Sequence, residues 1–420
     1  MSTFRFMHAA DLHLDSPFQG LYQTHPDIAS VLKEATFKAF SEIIDLCIER
    51  HVDFLVIAGD VYDSADSSLR AQLRFRDELR RLTEHDISAY VIHGNHDPLD
   101  GWRARVEWPE KVHFFHGEGV ERVLYQRGEE PIAAIYGISY QHREVKDNLA
   151  RQYQHRAEDP FSIGLLHANV GGDPGHETYA PCSLEDLIEN GMDYWALGHI
   201  HKRAILYDRA PTVVYAGNPQ GRHPNEDGAR GCMLVEVEDG EVEKLEFVDT
   251  DSVRWVEGVV SIEVLESEQA FIDHLEACCL ELTDAAEGRS LVCRLRIEGR
   301  GSLYRTLRER GTEEFTEHLR EQLAGEQPFV WVDRIEDRTR PDIDIEARLQ
   351  GEDFVGDFLR IVQRYKEEPE KLMQLRAQLA PLFEHRLGRK YLEMLSAEEL
   401  SVLLDEAQHR CLDHMVEEGR

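Results

Sequence analysis

Aspartate, histidine and asparagine side chains follow short apolar segments at several points in the first 250 residues. Together they offer two carboxylates, one amide oxygen and four imidazoles, which are too many ligands for one ion but suit two divalent cations that share a carboxylate. The absence of thiolate ligands favours manganese, iron or zinc in a reactive site over a structural zinc. The set consists of Asp11, His13, Asp60, Asn95, His167, His199 and His201.

Two pairs in this set have the same spacing. Asp11 and His13 are two residues apart, and so are His199 and His201. In an extended backbone, residues i and i+2 point to the same side. We therefore expect each pair to present both side chains to one point. Two cations held there would clamp a phosphoryl group and activate a water molecule, so the pattern predicts phosphoester chemistry.

Apolar segments rich in Val, Ile, Phe and Tyr precede these polar residues and predict buried strands. Helical periodicity over Asp27–Arg50 and Ser67–Glu84 separates the first three strands, so the order predicts βαβ crossovers and an α/β fold. Polar groups at the carboxyl ends of such strands converge. The predicted strands are Thr3–Ala10, Val52–Ala58, Ala89–His93, Ser162–Leu166, Tyr194–Leu197 and Thr212–Ala216.

Each polar cluster also has an ordinary structural interpretation. A single histidine at the end of a strand is usually solvated, and Gly94-Asn95-His96 or Gly59-Asp60 alone would be a common turn. Five such clusters in this order make coincidence a poor explanation. We therefore expect a di-metal site.

The pattern changes after residue 250, which predicts three parts. Residues 1–250 form the domain that carries the polar clusters. Residues 251–340 alternate between strand and helix patterns and predict a small α+β unit with helices at Ser267–Ala286 and Leu303–Leu323. Residues 341–420 read as helices whose apolar stripes, including Phe354, Phe358 and Leu359, suit either a partner protein or the chain's own core.

Composition limits the functional classes. The chain has 420 residues, with Lys+Arg 47 against Asp+Glu 81 and a formal net charge of −34, so nucleic acid should be repelled except at a local positive site. The 7 cysteines form no CxxC pair, which favours free thiols in a reducing compartment. We find no signal-peptide pattern and no apolar segment of membrane-spanning length, so we expect a cytoplasmic protein without membrane association.

The ordered motifs resemble those of calcineurin-like metallophosphoesterases. These are Asp11-x-His13, Gly59-Asp60-x-x-Asp63, Gly94-Asn95-His96-Asp97, His167 and Gly198-His199-x-His201. Within that superfamily, the segments HAADLHLDSPF, AGDVYD, GNHDPL and GNPQGRHPNEDG resemble the SbcD/YhaO group of DNA repair exonucleases. The resemblance implies a metallophosphoesterase-type α/β sandwich followed by a capping domain and C-terminal helices.

The resemblance also implies roles for individual residues. One ion would be held by Asp11, His13, Asp60 and His201, and the other by Asp60, Asn95, His167 and His199, so Asp60 would bridge. The ions would be manganese first, with iron or zinc as alternatives. His96 would act on the transition state or the leaving oxygen, and Asp97 would orient His96 by a hydrogen bond. Asp63 is expected only to neighbour the site.

The substrate and the partners are also expectations from the resemblance. The predicted activity is that of a DNA exonuclease subunit that acts with an SMC-like ATPase and forms a homodimer. Two alternatives are a small-molecule phosphodiesterase or phosphatase, which the −34 charge favours, and a mainly regulatory subunit of the ATPase complex. The candidate substrate contacts are Arg103, Arg105, Arg222 and His223.

Overall fold

The structure is a computed structural model that describes residues 3–18, 26–63, 68–172, 179–323, 328–340, 345–384 and 395–418. Its strands are β1 (Thr3–Ala9), β2 (Phe54–Ala58), β3 (Ser88–Ile92), β4 (Val112–Phe114), β5 (Glu121–Arg127), β6 (Glu130–Gly137), β7 (Ser162–His167), β8 (Tyr194–Gly198), β9 (Ala204–Asp208), β10 (Thr212–Tyr215), β11 (Gly231–Glu238), β12 (Glu241–Asp249), β13 (Val253–Ser261), β14 (Ser290–Glu298) and β15 (Val330–Asp337). Its α-helices are α1 (Pro26–Glu49), α2 (Leu69–Glu84), α3 (Leu184–Ile188), α4 (Glu268–Ala285), α5 (Leu303–Arg310), α6 (Glu313–Leu323), α7 (Ile345–Leu349), α8 (Phe354–Glu367), α9 (Pro369–Glu384) and α10 (Ala397–Glu418).

Two six-stranded sheets form the part of the molecule that carries the polar clusters. The first has the order β12-β11-β1-β2-β3-β4, and the second has the order β5-β6-β7-β8-β10-β9. In the first sheet β1 to β4 are parallel, and the antiparallel strands β11 and β12 lie at one edge. In the second sheet β6, β7, β8 and β10 are parallel, and β5 and β9 are antiparallel at the two edges. The predicted α/β sandwich is therefore confirmed.

A buried apolar layer lies between the two sheets. Phe6 and Phe54 of the first sheet stack with ring centroids 5.3 Å apart, and Phe6 meets Tyr194 of the second sheet edge-on at 5.1 Å. Alternate residues of β1 and β2, such as Met7 and Leu55, point the other way and pack against the helical side of the first sheet. Both faces of these strands are buried, which explains their continuous apolar sequences.

Contacts divide the chain into two compact units. The first unit comprises residues 1–257, 279–294 and 319–333, and the second comprises residues 258–278, 295–318 and 334–420. Strands β13, β14 and β15 form a three-stranded sheet in that order. Within the first unit, Trp255 and Phe329 pack with Leu32 of α1. The predicted boundaries after residues 250 and 340 stay a prediction.

One predicted helix is wrong. Leu303–Leu323 is not continuous, because α5 ends at Arg310 and is followed by Gly311, whose φ is 76°, before α6 begins. A left-handed glycine after the last helical residue is a common helix terminator. Ser67, the predicted start of the second helix, lies outside the described residues, and α2 is described from Leu69 onward.

The C-terminal helices belong to the second unit and pack on one another. Leu359 of α8 and Leu412 of α10 are buried together, with Phe358 alongside. Phe354 and Val402 are exposed. The predicted apolar stripe therefore divides between the unit's own core and its surface.

The state of the cysteines and the hydropathy of the helices can be compared with the expectations from composition. The seven cysteines are thiols and not disulfides; five are buried, Cys278 is half-buried and Cys411 is exposed. Among the described helices, none combines the length and the apolar character that crossing a membrane requires.

Candidate metal centre

The turns that follow neighbouring strands β1 and β2 lie side by side. The backbone N–H of Asp11 donates to Gly59 O at 3.0 Å, and that of His13 donates to Asp60 O at 3.0 Å. The two turns therefore hold their side chains at a fixed separation. Each turn directly follows a buried strand, as the sequence pattern predicts.

The backbone of these turns differs from the expectation of extended chain. Asp11 has a φ of 53°, His13 of 44°, Asp60 of 51° and His199 of 97°. Residues other than glycine rarely adopt such left-handed angles, which cost about 1–3 kcal/mol each and cluster at functional sites. The side chains converge because the chain turns left-handed after the strands, so the extended-pair explanation is wrong.

One group of donor atoms gathers around His13. His13 Nε2 lies 3.1 Å from His201 Nε2 and 3.8 Å from Asp60 Oδ2. Burial, followed by the charge of Arg222, lowers the pKa of His13 to about 3, so its imidazole is neutral. A neutral imidazole is the form that binds a metal. Asp11, His13 and His201 offer ligand atoms that all lie within 4.8 Å of one another.

A second group gathers around His167. Its Nδ1 donates to Ala58 O at 2.9 Å, which leaves Nε2 facing Asn95 Oδ1 at 2.9 Å and Asp60 Oδ2 at 3.4 Å. His199 Nδ1 lies 3.1 Å from the same Asn95 oxygen. Asp60 thus contacts donors of both groups.

The two buried carboxylates of the site, Asp11 and Asp60, would be stabilised by bound cations. Burial alone would lower the pKa of His167, but Asp60 and Asp11 raise it to about 9. Burial alone would raise the pKa of Asp60, but His167, and after it His13, hold it well below its usual range. Two buried carboxylates surrounded by imidazole and amide donors fit two divalent cations, and the residues present match that requirement.

Glycines allow these groups to approach. A Cβ atom on Gly94 would lie 2.3 Å from Asp60 Oδ1 and 2.7 Å from His167 Nε2. A Cβ on Gly198 would lie 1.9 Å from Ala58 O, the acceptor of the His167 hydrogen bond. Larger residues at either position would displace the predicted ligands.

His96 lies beside the donor atoms, but Asp97 does not orient it. The backbone N–H of His96 donates to Asp60 Oδ1 at 2.9 Å, and its Nδ1 donates to the carbonyl oxygen of Asp63 at 3.0 Å. The Asp97 carboxylate instead contacts His93 Nδ1 at 2.8 Å and accepts from the N–H groups of Gly94 and Val61. The predicted Asp97–His96 hydrogen bond is therefore wrong, because the turn directs Asp97 towards the loop backbone.

Glu226 is not identified from the sequence, and Asp63 is expected there only to neighbour the site, whereas both side chains contact predicted ligands. Glu226 Oε1 accepts from His201 Nδ1 at 2.5 Å, and its Oε2 accepts from the N–H of Arg222 at 2.6 Å. Asp63 Oδ1 lies 3.1 Å from His13 Nδ1 and accepts from Arg222 at 2.9 Å. Burial would raise the pKa of Glu226, but the hydrogen bond from His201 and its charge hold it well below its usual range.

The four candidate substrate contacts separate into two pairs. Arg103 and Arg105 are exposed, and Arg103 donates to the carbonyl oxygens of Asp97 and Pro98 at 3.3 and 3.4 Å. Arg222 is buried, and its guanidinium donates to Ser16 Oγ at 2.5 Å and to Asp63.

A pocket of about 670 Å³ lies next to the donor atoms. His96 and His201 form part of its wall, and Arg222 and His223 line it as well. Arg103 and Arg105 do not belong to the described lining. The pocket therefore joins one pair of the predicted substrate contacts to the candidate metal centre.

The fold and this site define a metallophosphoesterase, and comparison with known proteins agrees. Residues 4–203 match the calcineurin-like phosphoesterase family, and residues 255–340 match the middle domain of the metallophosphoesterase YhaO. The chain belongs to the calcineurin-like metallophosphoesterase family, in its YhaO-type branch.

Relatives extend this result over the whole chain. An uncharacterized metallophosphoesterase YhaO of Bacillus subtilis is 38% identical over 97% of this chain and 97% of its own length. The DNA double-strand break repair protein Mre11 of Sulfurisphaera tokodaii is 27% identical over 60% of this chain and 64% of its own length. The protein of the same name from Thermoplasma acidophilum is 27% identical over 59% and 66%. The similarity to these repair proteins thus covers about two thirds of their length.

Proposed function

We propose that this protein is a di-metal phosphodiesterase that cleaves DNA, as the exonuclease subunit of a DNA repair complex. The main support is the convergence of seven predicted ligands beside His96 and a pocket lined by cationic side chains. The relatives named as DNA double-strand break repair proteins support the substrate class.

In this proposal Asp11, His13, Asp60 and His201 would hold one divalent cation, and Asp60, Asn95, His167 and His199 the other. The cations, manganese in the first place, would neutralise charge on the phosphoryl oxygens and activate water. The chain's own residues keep the ligands in place: Ala58 O fixes the ring of His167, and Glu226 fixes the ring of His201.

His96 is the proposed proton donor. Its Nδ1 carries a proton because it donates to the Asp63 carbonyl, which can only accept. With Nδ1 protonated, Nε2 can take up a second proton, and the imidazolium so formed would give that proton to the leaving oxygen as the phosphorus–oxygen bond breaks and water supplies the new oxygen. Arg222 and His223 line the pocket where substrate phosphate would enter.

The proposal is tested by manganese-dependent release of nucleotides from linear double-stranded DNA, with the wild type compared to His96→Ser. We expect release by the wild type, and a loss of about 10²-fold or more in the variant, with unchanged metal content. Lower metal content in His96→Ser would show that His96 is a ligand. No release by metal-loaded wild type would contradict a nuclease that acts alone.

A small-molecule phosphodiesterase is the second candidate, and the net charge of −34 favours it because DNA is repelled at long range. The same preparations assayed with bis-(p-nitrophenyl) phosphate separate the two. Hydrolysis of this diester without release from DNA, with or without the ATPase, would favour the second candidate.

The SMC-like ATPase remains part of the proposal, and the exposed Phe354 of α8 is a suitable contact for it. Phe354→Asp should weaken co-purification with the ATPase and leave diester hydrolysis unchanged. Equal recovery of the ATPase would remove α8 from the interface. The expected homodimer is tested by light scattering of the purified chain.

A further inference from the structure

Lys202 and Arg203 form a cationic edge directly after the predicted ligand His201. Both are exposed and line the pocket beside the metal centre. In the described part of the chain neither makes an ion pair with a carboxylate. The arginines of α2 behave differently, because Arg70 and Arg81, for example, pair with acidic side chains. The two pocket cations therefore keep their charge available to an anion.

The Arg203 side chain is nevertheless held in place. Its guanidinium carbon lies 3.9 Å from the centroid of the Phe247 ring, and Phe247 also lines the pocket. A cation above an aromatic face is stabilised without neutralising its charge. Arg203 is thus positioned at the pocket wall but remains able to bind a ligand.

Two buried arginines complete this wall. Arg222 and Arg230 are 7% and 8% exposed, and the Nε of each is buried with no hydrogen-bond partner among the described residues. Arg230 is anchored by donating to His201 O at 2.6 Å and to Asn218 Oδ1 at 3.1 Å. Unpartnered buried N–H groups are costly, which favours an anion at this wall.

The carboxylates that line the pocket offset only part of the positive charge of these four side chains. Glu226 contacts His201, whereas Asp63 contacts His13 and also pairs with Arg222 at 2.9 Å, so it offsets the charge of that arginine and not of Lys202 or Arg203. Asp227 is the remaining acidic residue of the described lining. A wall with four cations stands out in a chain with a net charge of −34. Local positive charge of this kind is what an acidic protein needs to hold phosphate.

The dimensions of the pocket suit more than the phosphate under attack. At about 670 Å³ it is large enough for a nucleotide-sized ligand, and its lining includes His96 and His201 of the candidate metal centre as well as Lys202 and Arg203. A phosphate held by Lys202 and Arg203 would therefore neighbour the reacting group without replacing it.

We propose that Lys202 and Arg203, with Arg222 and Arg230 behind them, form a subsite for the phosphodiester adjacent to the one that is cleaved. This inference rests on the proposed nuclease function and specifies its substrate as a polynucleotide strand with at least two consecutive phosphates. A phosphodiester with a single phosphate would fill only the metal centre.

The test measures binding of a short fluorescent oligothymidylate with phosphorothioate linkages, which slow cleavage, to the manganese-loaded full chain over a range of salt concentrations. Each phosphate contact on a single strand contributes about 0.7 to the slope of log affinity against log salt. Lys202→Ala/Arg203→Ala removes the contact with one phosphate and should therefore reduce the magnitude of the slope by about 0.7 relative to the wild type. Arg80→Ala/Lys111→Ala is the matched control, because both side chains are paired with carboxylates elsewhere, and it should keep the wild-type slope.

A second measurement distinguishes this inference from the nuclease proposal. The ratio of kcat/KM for an oligonucleotide to that for bis-(p-nitrophenyl) phosphate should fall at least tenfold in Lys202→Ala/Arg203→Ala. Cleavage of DNA by the wild type with an unchanged slope and ratio in the variant would overturn the subsite and leave the nuclease intact. If the wild type neither binds nor cleaves the oligonucleotide, with or without the ATPase, both proposals are wrong.

Discussion

Replacing Glu226 by glutamine isolates the part of this carboxylate in metal binding. In the native chain, one oxygen of Glu226 accepts from His201 Nδ1, and the other accepts from the backbone N–H groups of Arg222 and His223 at 2.6 and 3.2 Å. Glutamine has nearly the same shape but offers one oxygen and one NH₂ group. It can satisfy only one of these two sides.

The expected effect depends on whether the amide oxygen of the glutamine faces His201 Nδ1 or the backbone N–H groups of Arg222 and His223. Two backbone donors face one side and a single ring nitrogen faces the other, so we expect the oxygen to remain with the backbone. The NH₂ group then points at His201 Nδ1, which must accept, and the ring proton moves to Nε2. Because Nε2 is the atom that approaches His13 Nε2 at 3.1 Å, the proposed ligand loses its lone pair. Loss of such a partner typically costs 10–100-fold in metal affinity, or about 1.4–2.8 kcal/mol.

The measurement is a calorimetric titration of the chelator-stripped protein with manganese. The wild type should show two sites, and Glu226→Gln should weaken the site that contains His201 while the site that contains His167 keeps its affinity. Asp227→Asn removes the same charge from a neighbouring exposed carboxylate and should change neither site. Thermal unfolding of the stripped proteins shows whether the substitution acts on the fold.

Two results would refute this reasoning. Affinities of Glu226→Gln within threefold of the wild type at both sites would show that the ring orientation does not depend on Glu226. An equal loss in Asp227→Asn would show that local negative charge matters rather than the His201 contact.

Three further predictions concern stability and accessibility. Burial lowers the pKa of His8 to about 3, so below pH 6.5 the unfolded chain takes up a proton that the native chain does not. Stability should fall by about 2 kcal/mol between pH 7 and pH 5 through this residue, and His8→Gln should reduce that fall in urea unfolding; an unchanged pH dependence would contradict it. Because Asp60 has a φ of 51°, Asp60→Gly should be more stable than Asp60→Ala by about 1 kcal/mol in the same assay, and equal stabilities would argue against strain. Burial raises the pKa of Cys182 to about 12, so iodoacetamide should label the exposed Cys411 long before Cys182 by mass spectrometry, and equal labelling rates would contradict the described burial.

The sequence was sufficient to locate the site because its chemistry is coupled to the ends of strands. Apolar segments predict where β1, β2 and β3 lie, and the polar residues that follow them must then gather at one edge. The proximity of Asp11, Asp60 and His167 follows from that pattern with no knowledge of side-chain contacts. Their assignment as ligands remains a proposal.

The rest depended on contacts that sequence spacing does not encode. Glu226 belongs to a loop, and nothing in its local pattern indicates that it reaches His201. Asp97 directly follows His96, yet its carboxylate accepts from the N–H of Gly94 and from Val61, because buried backbone donors at the turn must be satisfied. Hydrogen bonds in turns are decided by which neighbouring backbone groups lack partners, which requires the assembled fold.

The left-handed backbone angles at the predicted ligands link the strand pattern, which the sequence predicts, to the hydrogen bonds of the turns, which it does not. A strand that ends in a left-handed residue turns its side chain and the next amide towards the adjacent strand end, as seen where His13 N–H meets Asp60 O. The strain is tolerated because the turns of β1 and β2 hydrogen-bond to each other and are buried against His167. Glycine would adopt these angles more easily but would provide no ligand. Asp and His adopt left-handed angles more readily than most residues other than glycine, and they also provide a ligand atom, so they satisfy the turn and the predicted site together.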